Sequence, residues 1–235
     1  MAVERLDKAL ASQGTMSRSD VKKIIKNGGI SVNGVTVKDN AFKVNIAEDI
    51  ICLNGEEINL KKHIYIMMNK PTGVVSASEG KGEKTVVDLV PDELQRNGLF
   101  PAGRLDKDTT GFVLITDDGE FAHRILSPKN HIEKTYIATL AEPLKEGAEK
   151  LFENGLTLAD GYKCLPAQIE MAEDRTVAYV TLHEGKYHQI KRMFGACNNK
   201  VVALKRISMG KIKLDEKLKL GECRELEQSE LELLL

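Results

Sequence analysis

Gly103-Arg104-Leu105-Asp106, followed by Lys107-Asp108-Thr109-Thr110-Gly111, sets a carboxylate beside a tight glycine turn, just ahead of the apolar run FVLIT. A carboxylate on a loop held against a rigid sheet can act as a nucleophile or as a base. Asp next to Gly is more commonly a plain turn former, and both readings stand. A phosphate loop fits poorly, because the Gly-Lys-Ser/Thr order is missing. A second segment is Glu184-Gly185-Lys186-Tyr187-His188-Gln189-Ile190-Lys191-Arg192-Met193. From Lys186 to Lys213 the chain carries eight Lys/Arg and no Asp/Glu, which makes an anion-binding surface in a neutral protein. Lys186, Lys205, Arg206, Lys211 and Lys213 suit phosphate contacts there; the plainer alternative is a basic edge folded against the acidic tail. His183 and His188 lack the spacing and the second carboxylate of a helical zinc site, so a hydrogen-bonding role is expected. Asn69-Lys70-Pro71-Thr72-Gly73 reads as a strand-ending turn. Tyr136, in Glu133-Lys134-Thr135-Tyr136, reads by itself as core.

These segments need a scaffold, and the sequence outlines one. Residues 3–27 read as two short helices. Leu6, Ala9 and Leu10 mark the inner side of the first, and Val21, Ile24 and Ile25 that of the second. Ser17 or Ser19 can cap the second helix and Gly28-Gly29 stops it. Arg18, Lys22, Lys23 and Lys26 fall mostly on its other side, where they can neutralise phosphates or simply be solvated. Asn33-Gly34 and Asn54-Gly55 are hairpin turns. A unit of about 60 residues results, able to fold alone, with the polar stretch 59–63 as a linker. Beyond it, IYIMM, FVLIT, YIATL and VAYVTL resemble buried strands, and helices are expected at 120–126, 143–153 and 187–196. The elements do not alternate as strand and helix, so the fold class is α+β. From Leu214 onward seven acids face three bases, a solvated edge on which Leu226, Leu231 and Leu233 can pack down.

Composition narrows the classes of function. The 235 residues (26.0 kDa) hold 34 Lys+Arg against 35 Asp+Glu, a net charge of -1, so a uniformly basic binder is excluded but a local basic patch is not. With no Trp and 5% aromatics, an aromatic-rich sugar or single-strand groove is not indicated. Cys52, Cys164, Cys197 and Cys223 lie far apart, without the close spacing of a zinc knuckle or redox dithiol. No signal-peptide core and no apolar run of the ~18 residues a membrane span needs are present. The expectation is a cytoplasmic protein with no membrane partner.

RLDKALASQGTMSRSDVKKIIKNGGISVNGVTV resembles the S4 domain, a small RNA-binding module; Arg5 is the arginine of its RLD. NKPTG, GRLDKDTTGFVLITDDG, EKTY and EGKYHQIKRMF, in this order, resemble the S4-containing rRNA pseudouridine synthases of the RsuA family over nearly the whole chain, most closely the small-subunit branch. The resemblance implies an S4 domain at 1–60 and a catalytic domain at 61–235 built on a central mixed, largely antiparallel sheet. It implies an isomerase that needs no cofactor and no metal. It assigns Asp106 as the catalytic carboxylate. Lys191 becomes the cation that holds it ionised, at a place where relatives often have Arg. Tyr136 becomes the ring that stacks on the uracil, and Arg104 a holder of the flipped-out nucleotide. Arg5, Arg18, Lys22, Lys23, Lys26, Lys186 and Arg192 become RNA contacts. Phe112 stands where relatives often have Leu. The implied partner is 16S rRNA, at position 516, or an assembling small-subunit particle, met by a monomer. The alternatives are a synthase acting on 23S rRNA and a non-catalytic rRNA-binding assembly factor.

Overall fold

Asn33 and Asn54 both take left-handed backbone (φ 51° each), followed by Gly34 and Gly55 at φ 79° and 91°. Paired positive φ values are what a two-residue hairpin needs, and they explain the Asn-Gly choice. The computed structural model describes residues 3–234. The chain divides into one unit that runs up to Ile64 and includes Pro91–Leu99, and a second formed by Tyr65–Val90 and Phe100–Leu235.

The first unit opens with strand β1 (Val3–Arg5), then helices α1 (Leu6–Ser12) and α2 (Arg18–Lys26). Ser17 caps α2, its Oγ accepting from the Asp20 N–H at 3.2 Å. Strands β2 (Ile30–Val32), β3 (Val35–Thr36), β4 (Lys43–Asn45), β5 (Ile51–Leu53) and β6 (Glu56–Glu57) follow. β1 pairs with β4, and the others form a sheet in the order β3-β2-β5-β6. Leu6, Leu10, Val21, Ile25, Ile30 and Ile51 share its core. Stretch 59–63 is no free linker. Leu60 is buried in that core, and Gln13 bonds both the N–H and the carbonyl of Lys61. Arg96 joins the same unit by donating to the carbonyls of Ser12 and Lys61, each at 2.9 Å.

The second unit contains β7 (Tyr65–Lys70), β8 (Phe100–Ala102), β9 (Thr110–Thr116), α3 (Gly119–Leu126), β10 (Lys134–Leu140), α4 (Glu149–Glu153), β11 (Gln168–Met171), β12 (Val177–Leu182), α5 (Gln189–Ala196), β13 (Val201–Met209), β14 (Ile212–Lys213), β15 (Cys223–Glu225) and α6 (Gln228–Glu232). Its sheet runs β11-β12-β10-β13-β9-β7-β15, with β14 on β13 and β8 on β9. Every pairing is antiparallel except β13 with β9. The fold is α+β with a central mixed, largely antiparallel sheet, as the sequence implied. Residues 111–116 of β9 are buried on both faces, which is why TGFVLIT is almost continuously apolar. β10 instead alternates, with Lys134, Tyr136, Ala138 and Leu140 on the buried side. Gly111 makes the parallel pairing possible. A Cβ there would lie 2.2 Å from the Arg206 carbonyl oxygen, and its φ is +97°.

Three expectations need correction. The sequence of β13 reads only as a basic surface, yet it is a nine-residue strand inside the sheet. The helix expected over 143–153 is confined to its last five residues, after Gly147 turns the chain at φ 79°. The acidic tail forms an edge with Leu226 and Leu231 packed down, as expected, but β15 pairs it into the sheet, and Leu234 enters the core while Leu233 faces out.

Candidate active site

The loop between β8 and β9 presents Asp106, and it is fastened from several sides. Ser76 Oγ donates to the Leu105 carbonyl at 3.0 Å and accepts from the Leu105 N–H at 3.1 Å. Lys70, at the end of β7, is 0% exposed, and its ammonium donates to the carbonyls of Pro71 (2.9 Å), Lys107 (3.2 Å) and Thr109 (2.9 Å). Burial pushes the Lys70 pKa down to about 8, against the pull of Asp108 and Asp106. Arg206, 1% exposed, donates to the carbonyl of Phe112 at 2.7 Å and to that of Gly103 at 3.4 Å. Two buried cations therefore clamp the loop through its backbone carbonyls. Arg206 thus serves the loop and not the phosphate contacts that its position in a basic stretch implied.

Helix α5 brings the partner charge. Lys191 Nζ lies 3.1 Å from Asp106 Oδ2 and 2.6 Å from Asp108 Oδ1. Burial opposes the Lys191 charge, but the hydrogen bonds to Asp108 and Asp106 outweigh it and hold the pKa above the usual lysine value. Lys191 in turn holds the Asp108 carboxyl below the usual range. His188, at the N-cap of α5 in left-handed backbone (φ 49°), sets Nε2 3.5 Å from Asp106 Oδ1. The segment before α5 is braced by Glu184, which is buried and accepts from Tyr162 Oη (2.6 Å), Leu165 N (2.9 Å) and Gln189 Nε2 (2.6 Å).

Asp106, Tyr136 and Arg104 line one cleft of about 740 Å³. That falls within the ~300–1,000 Å³ of sites that enclose a small ligand, enough for one nucleotide. The Tyr136 ring is buried in its wall, while Arg104 and Lys186 are exposed. Lys186 sits 4.9 Å from the Tyr162 ring centroid. Arg192 turns to Asp160 at 2.5 Å. In the other unit, Arg18, Lys22, Lys23 and Lys26 are all exposed on α2. Arg5 makes a two-pronged bond to Asp7 at 3.0 and 2.9 Å and lowers the Asp7 pKa. Sequence reasoning missed the second carboxylate on Lys191, the buried Lys70, Lys134 at the cleft, and Tyr187. Tyr187 is 75% exposed, lines the cleft and stacks on His188 at 3.8 Å. An exposed Tyr next to His in the EGKYHQ run was the available signal for it. Among the described residues no cluster of His, Cys, Asp and Glu could hold a metal ion, and no helix is long and apolar enough to cross a membrane.

Residues 64–196 match the RNA pseudouridylate synthase family, and residues 4–51 match the S4 domain. A Bacillus subtilis protein named uncharacterized RNA pseudouridine synthase YtzG is 46% identical, with 98% of each chain aligned. The ribosomal small subunit pseudouridine synthase A of Vibrio cholerae is 43% identical over 96% of this chain and 97% of its own. A crystal structure described as a pseudouridylate synthase superposes with a TM-score of 0.70 at 40% identity, covering 99% of this chain and 100% of that one. An S4 domain joined to a sheet-and-cleft domain of this kind defines an isomerase that rearranges uridine within RNA. The chain belongs to the RNA pseudouridylate synthase family.

Proposed function

We propose that this protein converts one uridine of 16S rRNA, position 516, to pseudouridine, with Asp106 as the catalytic carboxylate. The observation that carries this reading is the 3.1 Å pairing of Asp106 with Lys191 beside a nucleotide-sized cleft. Pseudouridine formation breaks the bond between N1 and the ribose C1′, turns the base and joins C5 to C1′. The C5 proton is lost and N1 gains one, so the reaction balances without an external reagent. A carboxylate serves as nucleophile at the ribose, as nucleophile at the base, or as the base that starts glycal formation. All three routes need it ionised within a partly desolvated cleft, and Lys191 opposes the desolvation cost. Tyr136 stacks on the uracil and Arg104 at the rim holds the nucleotide out of its helix, since a stacked base hides its glycosidic bond.

Uracil offers too few groups to select a single position, so RNA shape must do it. Residues 1–60 supply a second point of contact through Arg5, Arg18, Lys22, Lys23 and Lys26, while residues 61–235 carry the chemistry with Lys186 and Arg192 on the RNA side. The small-subunit target rests on relatives named for the small ribosomal subunit. The place of action is the cytoplasm, on 16S rRNA or an assembling particle. The test incubates purified protein with unmodified 16S and 23S transcripts and with partly assembled small-subunit particles, then maps pseudouridine at single-nucleotide resolution. One new site in 16S is expected. Modification of 23S alone overturns the target but keeps the reaction, and no pseudouridine in any RNA overturns the reaction.

A further inference from the structure

A buried lysine lies in the cleft and has no part in the chemistry above. Lys134, the first residue of β10, is 9% exposed and lines the cleft with Tyr136 and Asp106. Its ammonium donates to the Ile132 carbonyl at 2.8 Å, and among the described residues it has no acid partner and no other hydrogen bond. Two of its three N–H donors thus remain for something else. Leaving a cation in such a place is costly unless a ligand or the chemistry uses it. Lys134 and Tyr136 are two residues apart on the same face of one strand, which separates them by ~6.5–7 Å. A base stacked on the Tyr136 ring therefore brings an edge within reach of the ammonium.

The reaction creates a need at that edge. When the bond from N1 to C1′ breaks, its electron pair leaves with the base. The resulting uracil anion carries its charge on the ring nitrogens and carbonyl oxygens. If the carboxylate instead adds to the base, the same carbonyls take the charge as an enolate. In both routes the charge returns to carbon when C5 joins C1′. A fixed cation aimed at a carbonyl oxygen stabilises the state in between and moves no proton itself. We propose that Lys134 is a catalytic residue that donates a hydrogen bond from its ammonium to a uracil carbonyl and holds the negative charge that develops on the detached base. This rests on the pseudouridine synthase reading.

Burial, with the Arg206 charge beside it, pushes the Lys134 pKa down to about 8. Its neighbours across the sheet, Leu182 on β12 and Met209 on β13, carry no charge. The ammonium is therefore lost as pH rises through about 8. Arg in its place stays charged.

The experiment measures single-turnover pseudouridine formation on the RNA that the wild type modifies, together with RNA affinity, for wild type, Lys134→Met and Lys134→Arg. Lys134→Met is expected to slow the chemical step by ~10²–10³ with affinity changed less than about threefold, the scale of losing one charge-stabilising donor. Lys134→Arg is expected to recover at least a tenth of the wild-type rate and to decline less above pH 8 than wild type does. Lys70 is depressed to the same region but is present in both proteins, so the difference between the two profiles reports Lys134. A Lys134→Met rate within threefold of wild type overturns the role, as does a loss confined to affinity. If Lys134→Met does not fold, an Arg variant with an unaltered alkaline limb overturns it. No product from the wild type fails the underlying reading instead.

Discussion

Replacing Asp106 with Asn keeps the shape of the side chain and removes its charge. The structure allows the structural side of this change to be bounded. At 3.1 Å the pair with Lys191 is worth about 5 kcal/mol gross at an effective dielectric of 20. The side chains retain 26% and 22% of their exposure, so solvent and salt take most of that away. A net value of ~1–2 kcal/mol remains for a hydrogen-bonded charged pair. Lys191 is not abandoned, because Asp108 holds it at 2.6 Å. The loop keeps its clamps on Lys70, Ser76 and Arg206, none of which touches the Asp106 carboxylate. The expected loss of stability is therefore ~1 kcal/mol, or ~2–4 °C in Tm for a chain of this size. Turnover is expected to fall by at least ~10³, which corresponds to ~4 kcal/mol of barrier, while RNA affinity stays within a few-fold. The assay is single-turnover pseudouridine formation beside a thermal melt and a binding titration on one preparation. Turnover near wild type would falsify the assignment of Asp106. A Tm loss above ~10 °C would mean that the carboxylate is a structural element and that the activity loss says nothing about chemistry.

Gly111→Ala forces a Cβ to 2.2 Å from the Arg206 carbonyl at φ +97°. We expect the β9–β13 pairing to fail, with a Tm lower by more than 10 °C or no soluble protein; a melt within 3 °C of wild type would show that the close approach is not required. Arg224 is shared by Asp215 (2.7 Å) and Glu230 (2.8 Å); the Lys217 N–H and then Arg224 hold the Asp215 carboxyl below its ordinary value of 3.8, and Arg224 holds that of Glu230 below 4.5. A depressed carboxyl pKa stabilises the fold fully above the ordinary value and stops doing so as pH falls through the folded one. Arg224→Met should therefore lower Tm by several degrees at pH 7, with the gap closing below about pH 3.8; a gap that is constant from pH 7 to pH 3 contradicts the pairing. Deleting residues 1–60 strips Arg96 of its Ser12 acceptor and bares the Pro91–Leu99 segment, so the remainder should melt several degrees lower. Its RNA binding should also show a salt slope shallower by up to ~4, the share of five lost phosphate contacts; an unchanged slope would make α2 a solvated face.

The parts of the fold legible in the sequence are those set by local rules. Asn-Gly turns, the Ser17 cap and the strands around FVLIT and YIATL each follow from the residues within them. β13 was not legible, because VVALKRISM places Lys and Arg in its middle and so reads as surface. Arg206 is tolerated inside the sheet only because the carbonyls of Phe112 and Gly103, 94 and 103 residues away, receive it. Lys70 has the same explanation, since two of its three acceptors lie on the loop after β8. A charged side chain whose partners are distant backbone carbonyls leaves no signature of spacing. In the tail the unforeseen part is β15, for a related reason: Arg224 gathers Asp215 and Glu230, so an acidic run is neutralised locally and can pair into the sheet.

The same blindness explains how the candidate site divides. Asp106 and Lys191 are recognisable as motifs, but their spacing in sequence cannot say that they meet, nor that Asp108 shares the cation. The fold adds a separation of roles among four positive charges in and behind the cleft wall. Lys70 and Arg206 face backbone carbonyls and hold the loop. Lys191 faces carboxylates and keeps its charge. Lys134 faces neither an acid nor a full set of carbonyls, and a single carbonyl receives it. Positive charge placed for structure has its acceptors in the resting protein. Positive charge placed for a transient anion must keep donors free until the anion forms, because acceptors on every donor would compete with it. Of the four cations, Lys134 alone meets that condition, which is why the comparison of its Met and Arg variants bears on the chemistry and not on the scaffold.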